Sequence, residues 1–320
     1  MKTLFRSLVA ICLFGSAVAS LAQQFPSRPV KILVPYAAGG LYDIVARVVS
    51  PRLATRLGQP VIIDNKAGGG GAIAMDALKQ SPPDGHTLLF ADPAFLINPM
   101  MQPQLTYRVP RDLQPVAQFA TTGFILAVHP GMQVTDVQGL ARYARSHVIN
   151  FYSPGIGSMG QLASELFKVR TGTDAVHVPY RGFAAALTDI LSGQVHMGFY
   201  TPSVILPYVR DGRLRAIAVT GANRSLIAPE IPTMREQGIA DFDVEVWMLF
   251  GTVAGTPPAV VRQLNQAIVE VGKSEEVRSI LAKSDITVAT GTPEDAQKVL
   301  EAEERRSAGF MKAFKIAVEK

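Results

Sequence analysis

The chain has 320 residues, a formal net charge of +5 and 48% hydrophobic residues, enough for a large core but only weakly basic. It holds no long Lys/Arg run and no basic patch interleaved with aromatics, which argues against nucleic-acid binding. Its only cysteine, Cys12, lies in an apolar N-terminal stretch, so the rest of the chain has no thiol for a disulfide, a nucleophile or a metal ligand.

Lys2 and Arg6 precede an uncharged apolar run from Ser7 to Val18, and the small residues of Ser20-Leu21-Ala22 follow. This order predicts a secretory signal peptide over residues 1–22, with Ala17-Val18-Ala19 as a second possible cleavage point, and so a mature protein in the periplasm. The competing reading, a membrane anchor, needs a run of about 18 apolar residues, longer than the one present. Cys12 could also be read as a lipid-attachment site; the bulky Ile11 before it and the short apolar stretch ahead of it argue against that.

Strand and helix signals then alternate. Pro29 to Pro35 reads as a buried strand, and Asp43 to Leu57 carries apolar residues at helical spacing, ending at Gly58. Pro60 to Asp64 is the next strand. A Gly-rich turn, a helix from Ala72 to Lys79, a turn at Pro82-Pro83-Asp84-Gly85 and a strand from Thr87 to Phe90 follow. The predicted strands further on are 124–128, 149–152, 174–178, 195–199, 214–219 and 246–253. Helices are predicted over 137–145, 160–171, 184–192, 260–271, 275–283 and from Pro293 to the C-terminus. Strand–helix–strand units of this length imply parallel sheets covered by helices. Two clusters of such units, without internal repeats, predict two α/β lobes. Lobe 1 is residues 23–124 plus 248–320, lobe 2 is residues 125–247, and ligand binds in the cleft between them.

Three strand-to-helix loops invite chemistry. In Pro35-Tyr36-Ala37-Ala38-Gly39-Gly40-Leu41-Tyr42-Asp43 the glycines let backbone approach an anion at a helix N-terminus, whose free N–H groups carry partial positive charge. Asp43 stands where an N-cap would, and a bare capped turn remains equally open on position alone. Gly68 to Gly71 satisfies a dinucleotide-like spacing through Gly69, Gly71 and Ala74 but lacks the P-loop Gly-Lys-Ser/Thr, so a turn or ligand-facing loop is the better reading. The loop from Ser153 through Gly157 and Ser158 resembles a hydrolase elbow, yet Ile156 stands where G-x-S-x-G requires glycine. The histidines His86, His129, His147, His177 and His196 form no metal spacing, and His177 and His196 fall in strand contexts that suit structural roles. Asp189, in a helical apolar stretch, faces either solvent or the cleft, and the sequence alone favours solvent. Trp247 is read as core or hinge packing.

Many short blocks in register add a second line of argument. They include Phe25-Pro26-Ser27-Arg28-Pro29, Val34 to Gly40 with Asp43, Leu57 to Val61, Asp84 to Leu89, Asn98-Pro99, Val178-Pro179-Tyr180-Arg181-Gly182, Ala186 to Asp189, Gly193-Gln194-Val195, Arg215 to Thr220, Ile231 to Met234 and Gly255 to Pro258. Together they resemble the extracytoplasmic receptors of tripartite tricarboxylate transporters, the Bug-type receptors, over nearly the whole mature chain. The resemblance implies a type II periplasmic-binding-protein fold that closes on a small carboxylate or dicarboxylate, with no cofactor and no catalytic residues. It further implies a monomer that docks on large and small membrane subunits. The first loop would hold a carboxylate through backbone groups and waters, with little help from arginine. It raises Ala91 and Asp92, the Ser153–Ser158 loop and Asp189 to expected cleft positions beside Tyr36, Ala38, Gly39, Gly40, Leu41, Tyr42 and Asp43. Departures from the family pattern stand at Leu41-Tyr42 (usually a small residue, then Thr), Gln161 (commonly His) and Tyr200 (commonly Asp or Asn). The cleft thereby gains bulk and two phenols, which predicts an aromatic or longer, flatter carboxylate in place of citrate or a short amino diacid. A receptor that reports to a signalling system, or an exported hydrolase, remains the alternative.

Overall fold

The structure is a computed structural model that describes residues 25–240, 242 and 244–314, so the expected signal peptide and Cys12 lie outside the described residues. Among the described residues, eleven strands form two sheets. The first contains β1 (Val30–Val34), β2 (Val61–Asn65), β3 (Thr87–Ala91), β4 (Leu113–Thr122), β10 (Val246–Val253) and β11 (Thr287–Val288), in the order β11-β4-β10-β3-β1-β2. The second contains β5 (Ile125–Val128), β6 (Asn150–Ser153), β7 (Val176–Pro179), β8 (Met197–Tyr200) and β9 (Arg215–Val219), in the order β7-β6-β8-β5-β9. The expected parallel pairings hold for β1 with β2 and β3, and for β6 with β7 and β8. Both sheets are nevertheless mixed, because β10 lies antiparallel between β3 and β4, and β5 lies antiparallel between β8 and β9. These are the strands where the chain changes lobe, and a chain that returns from the far lobe enters the sheet reversed.

The helices are α1 (Leu41–Leu57), α2 (Ala72–Lys79), α3 (Ala94–Met101), α4 (Val137–Ala144), α5 (Met159–Thr171), α6 (Phe183–Leu191), α7 (Pro202–Arg210), α8 (Pro258–Lys273), α9 (Glu275–Ala282) and α10 (Pro293–Phe314). Each turns an apolar stripe inward. Val45, Val49 and Leu53 of α1 are fully buried, as are Leu264 and Ile268 of α8. Four elements escape the sequence reading: β4, β11, α3 and α7. Helices α3 and α7 carry Pro99 and Pro207 inside them, and proline is ordinarily a stop signal. β4 contains Pro115 and interior glutamines.

The chain passes between the sheets at Gly123-Phe124, from β4 into β5, and again ahead of β10. One side chain ties the two passages. The buried Thr220 hydroxyl accepts from the Phe124 N–H at 2.9 Å and donates to the Val244 carbonyl at 2.5 Å, while the Thr220 N–H donates to the Phe124 carbonyl at 2.9 Å. Trp247 packs in the core of the first lobe and donates its indole N–H to Glu303 at 3.2 Å, so it serves packing and lines no ligand cavity.

Candidate ligand-binding site

The C-terminal ends of β1, β3, β6 and β8 open into a cavity of about 270 Å³ between the lobes. This is the place where open α/β sheets bind ligands. Phe124 and Val246, on the two passages between lobes, also line it. The first lobe contributes residues 36–42 and Asp92. The second contributes Tyr152, Pro154, Ser158 to Gly160, Arg181 to Ala184, Phe199 to Thr201 and Val204.

The first lobe's wall is built from the β1–α1 loop. Helix α1 starts at Leu41 with Gly40 as its N-cap residue, and no side chain caps it. Its first-turn N–H groups therefore lack intrahelical partners, at residues that line the cavity, with the positive end of the helix dipole behind them. Asp43 is not the N-cap expected from its position. It is the third helical residue, and its Oδ2 reaches back to accept from the Gly39 N–H at 2.9 Å and from Arg47 Nε at 2.7 Å. Gly39 adopts φ 79°, a left-handed conformation that lets this reach-back occur without a Cβ penalty. Burial pushes the Asp43 carboxyl up, but the Arg47 guanidinium, the Gly39 N–H and Asn65 outweigh it and hold the group below the ordinary carboxylate range.

Asp92, at the end of β3, is 1% exposed and fully engaged. Its Oδ2 accepts from both Tyr36 and Tyr42 hydroxyls at 2.6 Å, its Oδ1 accepts from the Ala94 N–H at 2.9 Å, and the Phe95 N–H donates to the Asp92 backbone carbonyl at 3.1 Å. Burial raises the Asp92 carboxyl despite these donors, and burial together with Asp92 raises both phenols far above their usual range. The two tyrosine rings stack at 4.8 Å between centroids. They therefore show the ligand ring surface and not the free hydroxyls that a phenol normally offers.

The second lobe's wall is a second aromatic cluster. Tyr152 and Tyr200 stack at 5.0 Å and 9° between planes, and Phe183 meets both rings edge-on at 6.2 and 5.8 Å. Neither the Tyr152 nor the Tyr200 hydroxyl bonds to a described residue, and burial raises both. Tyr180 donates to Asp189 at 2.7 Å, and its phenol is pushed up to about 12, first by burial and then by that carboxylate.

Of the positions expected at the site, Tyr36, Ala38, Gly39, Gly40, Leu41, Tyr42, Asp92, Ser158 and Tyr200 line the cavity. Asp43, Ala91, Ser153, Gly157 and Asp189 do not. Asp43 and Asp189 fasten loops. Ala91 is core on β3, beside Leu249. Ser153 is fully buried and bonds His177 Nε2 at 2.6 Å; that histidine stacks on Phe151, and burial, then Lys168, takes it down to about 4. A serine–histidine contact so enclosed presents no nucleophile to the cavity. Gly157 approaches the first lobe: a Cβ there would lie 2.0 Å from Asn98 Oδ1, while Asn98 Nδ2 holds the Gly70 carbonyl at 2.8 Å. The Gly68–Gly71 loop is thus part of a seam between lobes, where Gly70 faces the Ile156 carbonyl. Among the described residues there is no cluster of His, Cys, Asp or Glu able to hold a metal ion, and no helix long and apolar enough to cross a membrane. Sequence reasoning missed Tyr152, Phe183 and Arg181 as lining residues; only the block that contains Tyr180-Arg181-Gly182 pointed near them.

The model of the tripartite tricarboxylate transporter family receptor matches residues 45–316. The protein BugT of Bordetella pertussis is 32% identical over 308 residues, covering 95% of this chain and 94% of its own. Among solved structures, Rpa4515 of R. palustris with adipate superposes with a TM-score of 0.86 at 31% identity, covering 91% of this chain and 99% of that one. MatC of Rhodopseudomonas palustris with bound malate gives a TM-score of 0.82 at 30% identity over 88% of this chain and 98% of that one. The fold is that of the periplasmic binding proteins.

Proposed function

The chain belongs to the tripartite tricarboxylate transporter receptor family, and on that premise we propose that it captures a small carboxylate in the interlobe cavity and hands it, in the periplasm, to the large and small membrane subunits of a tripartite transporter. The observation that carries the reading is the uncapped start of α1 at Gly40, on the wall of a cavity between two lobes. A carboxylate set there meets free backbone N–H groups and the positive end of a 17-residue helix. The adipate and malate of the two relatives support the same ligand class.

The aromatic walls narrow the choice. Tyr36 and Tyr42 stack on one side, and Tyr152, Tyr200 and Phe183 cluster on the other, so a flat ring fits between them better than a branched, heavily hydrated acid such as citrate. The cavity also lies just below the ~300–1,000 Å³ of ordinary small-molecule sites, which suits a compact ligand. Lobe closure then follows from contacts made by both walls, which favour the closed population.

Calorimetric titration of the mature protein with terephthalate, phthalate, adipate, malate and citrate tests this. Terephthalate or phthalate is expected to bind most tightly. Tight citrate binding with no aromatic binding would remove the aromatic choice, and no binding of any carboxylate would remove the reading itself.

A further inference from the structure

We propose that the Tyr152 and Tyr200 hydroxyls recognise an uncharged hydroxyl on the bound acid, so that the receptor selects hydroxylated aromatic carboxylates over rings of the same shape that lack the hydroxyl. This rests on the carboxylate-binding reading above. Tyr152 and Tyr200 are 4% and 3% exposed, and their hydroxyls bond neither each other nor any other described residue. What exposure remains reaches both oxygens, whereas the unpartnered Tyr107 hydroxyl of the first lobe is sealed. Both residues line the interlobe cavity, so the oxygens open there. A ring acid bound between the lobes takes the place of water on this wall. A bare ring strands two buried hydroxyls, and a ring that carries a hydroxyl of its own gives them a partner.

The sheet itself places the pair. Side chains alternate along a strand, so Gly198 and Tyr200 of β8 share one face of the second sheet. Tyr152 of β6 stands opposite Gly198 in the register of the two strands. With no side chain at Gly198, the Tyr200 ring lies back over that residue, where a Cβ would meet the ring's Cζ and hydroxyl oxygen at 2.7 Å. There it stacks on Tyr152, and Phe183 meets both rings edge-on. The lining side chains that α6 and α7 add, Phe183, Ala184 and Val204, are all apolar, which matches an uncharged substituent. A hydroxyl both donates and accepts, as a phenol does, so it can bond to either tyrosine without a change of protonation.

The test compares meta- and para-hydroxybenzoate with meta- and para-methylbenzoate, which keep the ring, the charge and the bulk and differ in the hydroxyl. Calorimetry is run on wild type, Tyr152→Phe, Tyr200→Phe and the double variant. The wild type is expected to prefer at least one hydroxy acid over its methyl partner by about ten- to hundredfold, the size of leaving a buried hydroxyl without a partner. Each single variant should lower that ratio, and the double variant should bring it close to one, with methylbenzoate affinity unchanged or higher. Phenylalanine keeps the stacked rings, so melting should not fall; a clear fall would show that the hydroxyls already had partners in the protein, and would overturn the proposal. Equal wild-type affinity for both members of each pair, or a ratio retained by the double variant, also overturns it while leaving the carboxylate reading standing. The same holds if the wild type binds adipate or malate but none of the four ring acids. If the wild type binds no carboxylate at all, that reading falls, and this inference with it.

Discussion

The two walls of the cleft treat their polar groups in opposite ways. On the first lobe the phenols that line the cavity are bound to the protein, the Tyr36 and Tyr42 hydroxyls to Asp92, and behind them Asp43 Oδ2 is bound to Gly39 and Arg47. On the second lobe, Arg181 and the Tyr152 and Tyr200 hydroxyls remain without partners among the described residues. A wall whose groups satisfy one another is rigid and offers only shape and backbone. A wall with free groups offers charge and hydrogen bonds to whatever arrives. The difference leaves the first lobe to meet a ligand with ring faces and the backbone N–H groups of α1, and the second to meet it with side-chain donors.

The largest effect should come from separating the walls. Gly157→Ala places a methyl group into Asn98 across the seam and also strains a residue at φ 77°, so closure is blocked. Carboxylate affinity by calorimetry should fall more than about tenfold. Unchanged affinity would show that this seam is not part of the bound form. Next in size, Asp92→Ala strands two buried phenols and should destabilise the protein by about 1–3 kcal/mol in urea unfolding. A neutral result would mean that the first wall is not held by its own network. The smallest effect concerns Asp43, whose folded carboxyl is held below its ordinary value. A lowered folded pKa gives stability that is present above the ordinary carboxylate pKa of about 3.9 and lost as pH falls through the lowered value. Unfolding free energies measured from pH 7 down to pH 3 should therefore decline less steeply in Asp43→Asn. Parallel wild-type and variant curves would show that the loop does not depend on that charge.

Much of the architecture was legible because alternating strand and helix periods are local signals, and β10 was read to the residue at Val246–Val253. The failures are local as well. Pro99 and Pro207 sit inside helices that tertiary packing holds together, and β4 has too many polar residues to read as a strand. The site was legible only in its backbone part, where a strand runs through two glycines into a helix. The side-chain network was not, since Tyr42 and Asp92 meet from positions 50 residues apart, and nothing in a single sequence pairs them. Arg181 was overlooked for the converse reason: what marks it is the lack of a partner, and a sequence does not show who a side chain's neighbours are.

Thr220 joins both passages between the lobes through one hydroxyl, accepting from Phe124 just ahead of β5 and donating to Val244 just ahead of β10. The two straps therefore bend in concert, and side-slip or shear of one against the other would break that bond. A jaw hung this way resists sideways slip more than it resists opening. A guest one methylene too long would then be met by a wider angle of opening rather than by a sideways shift of the lobes.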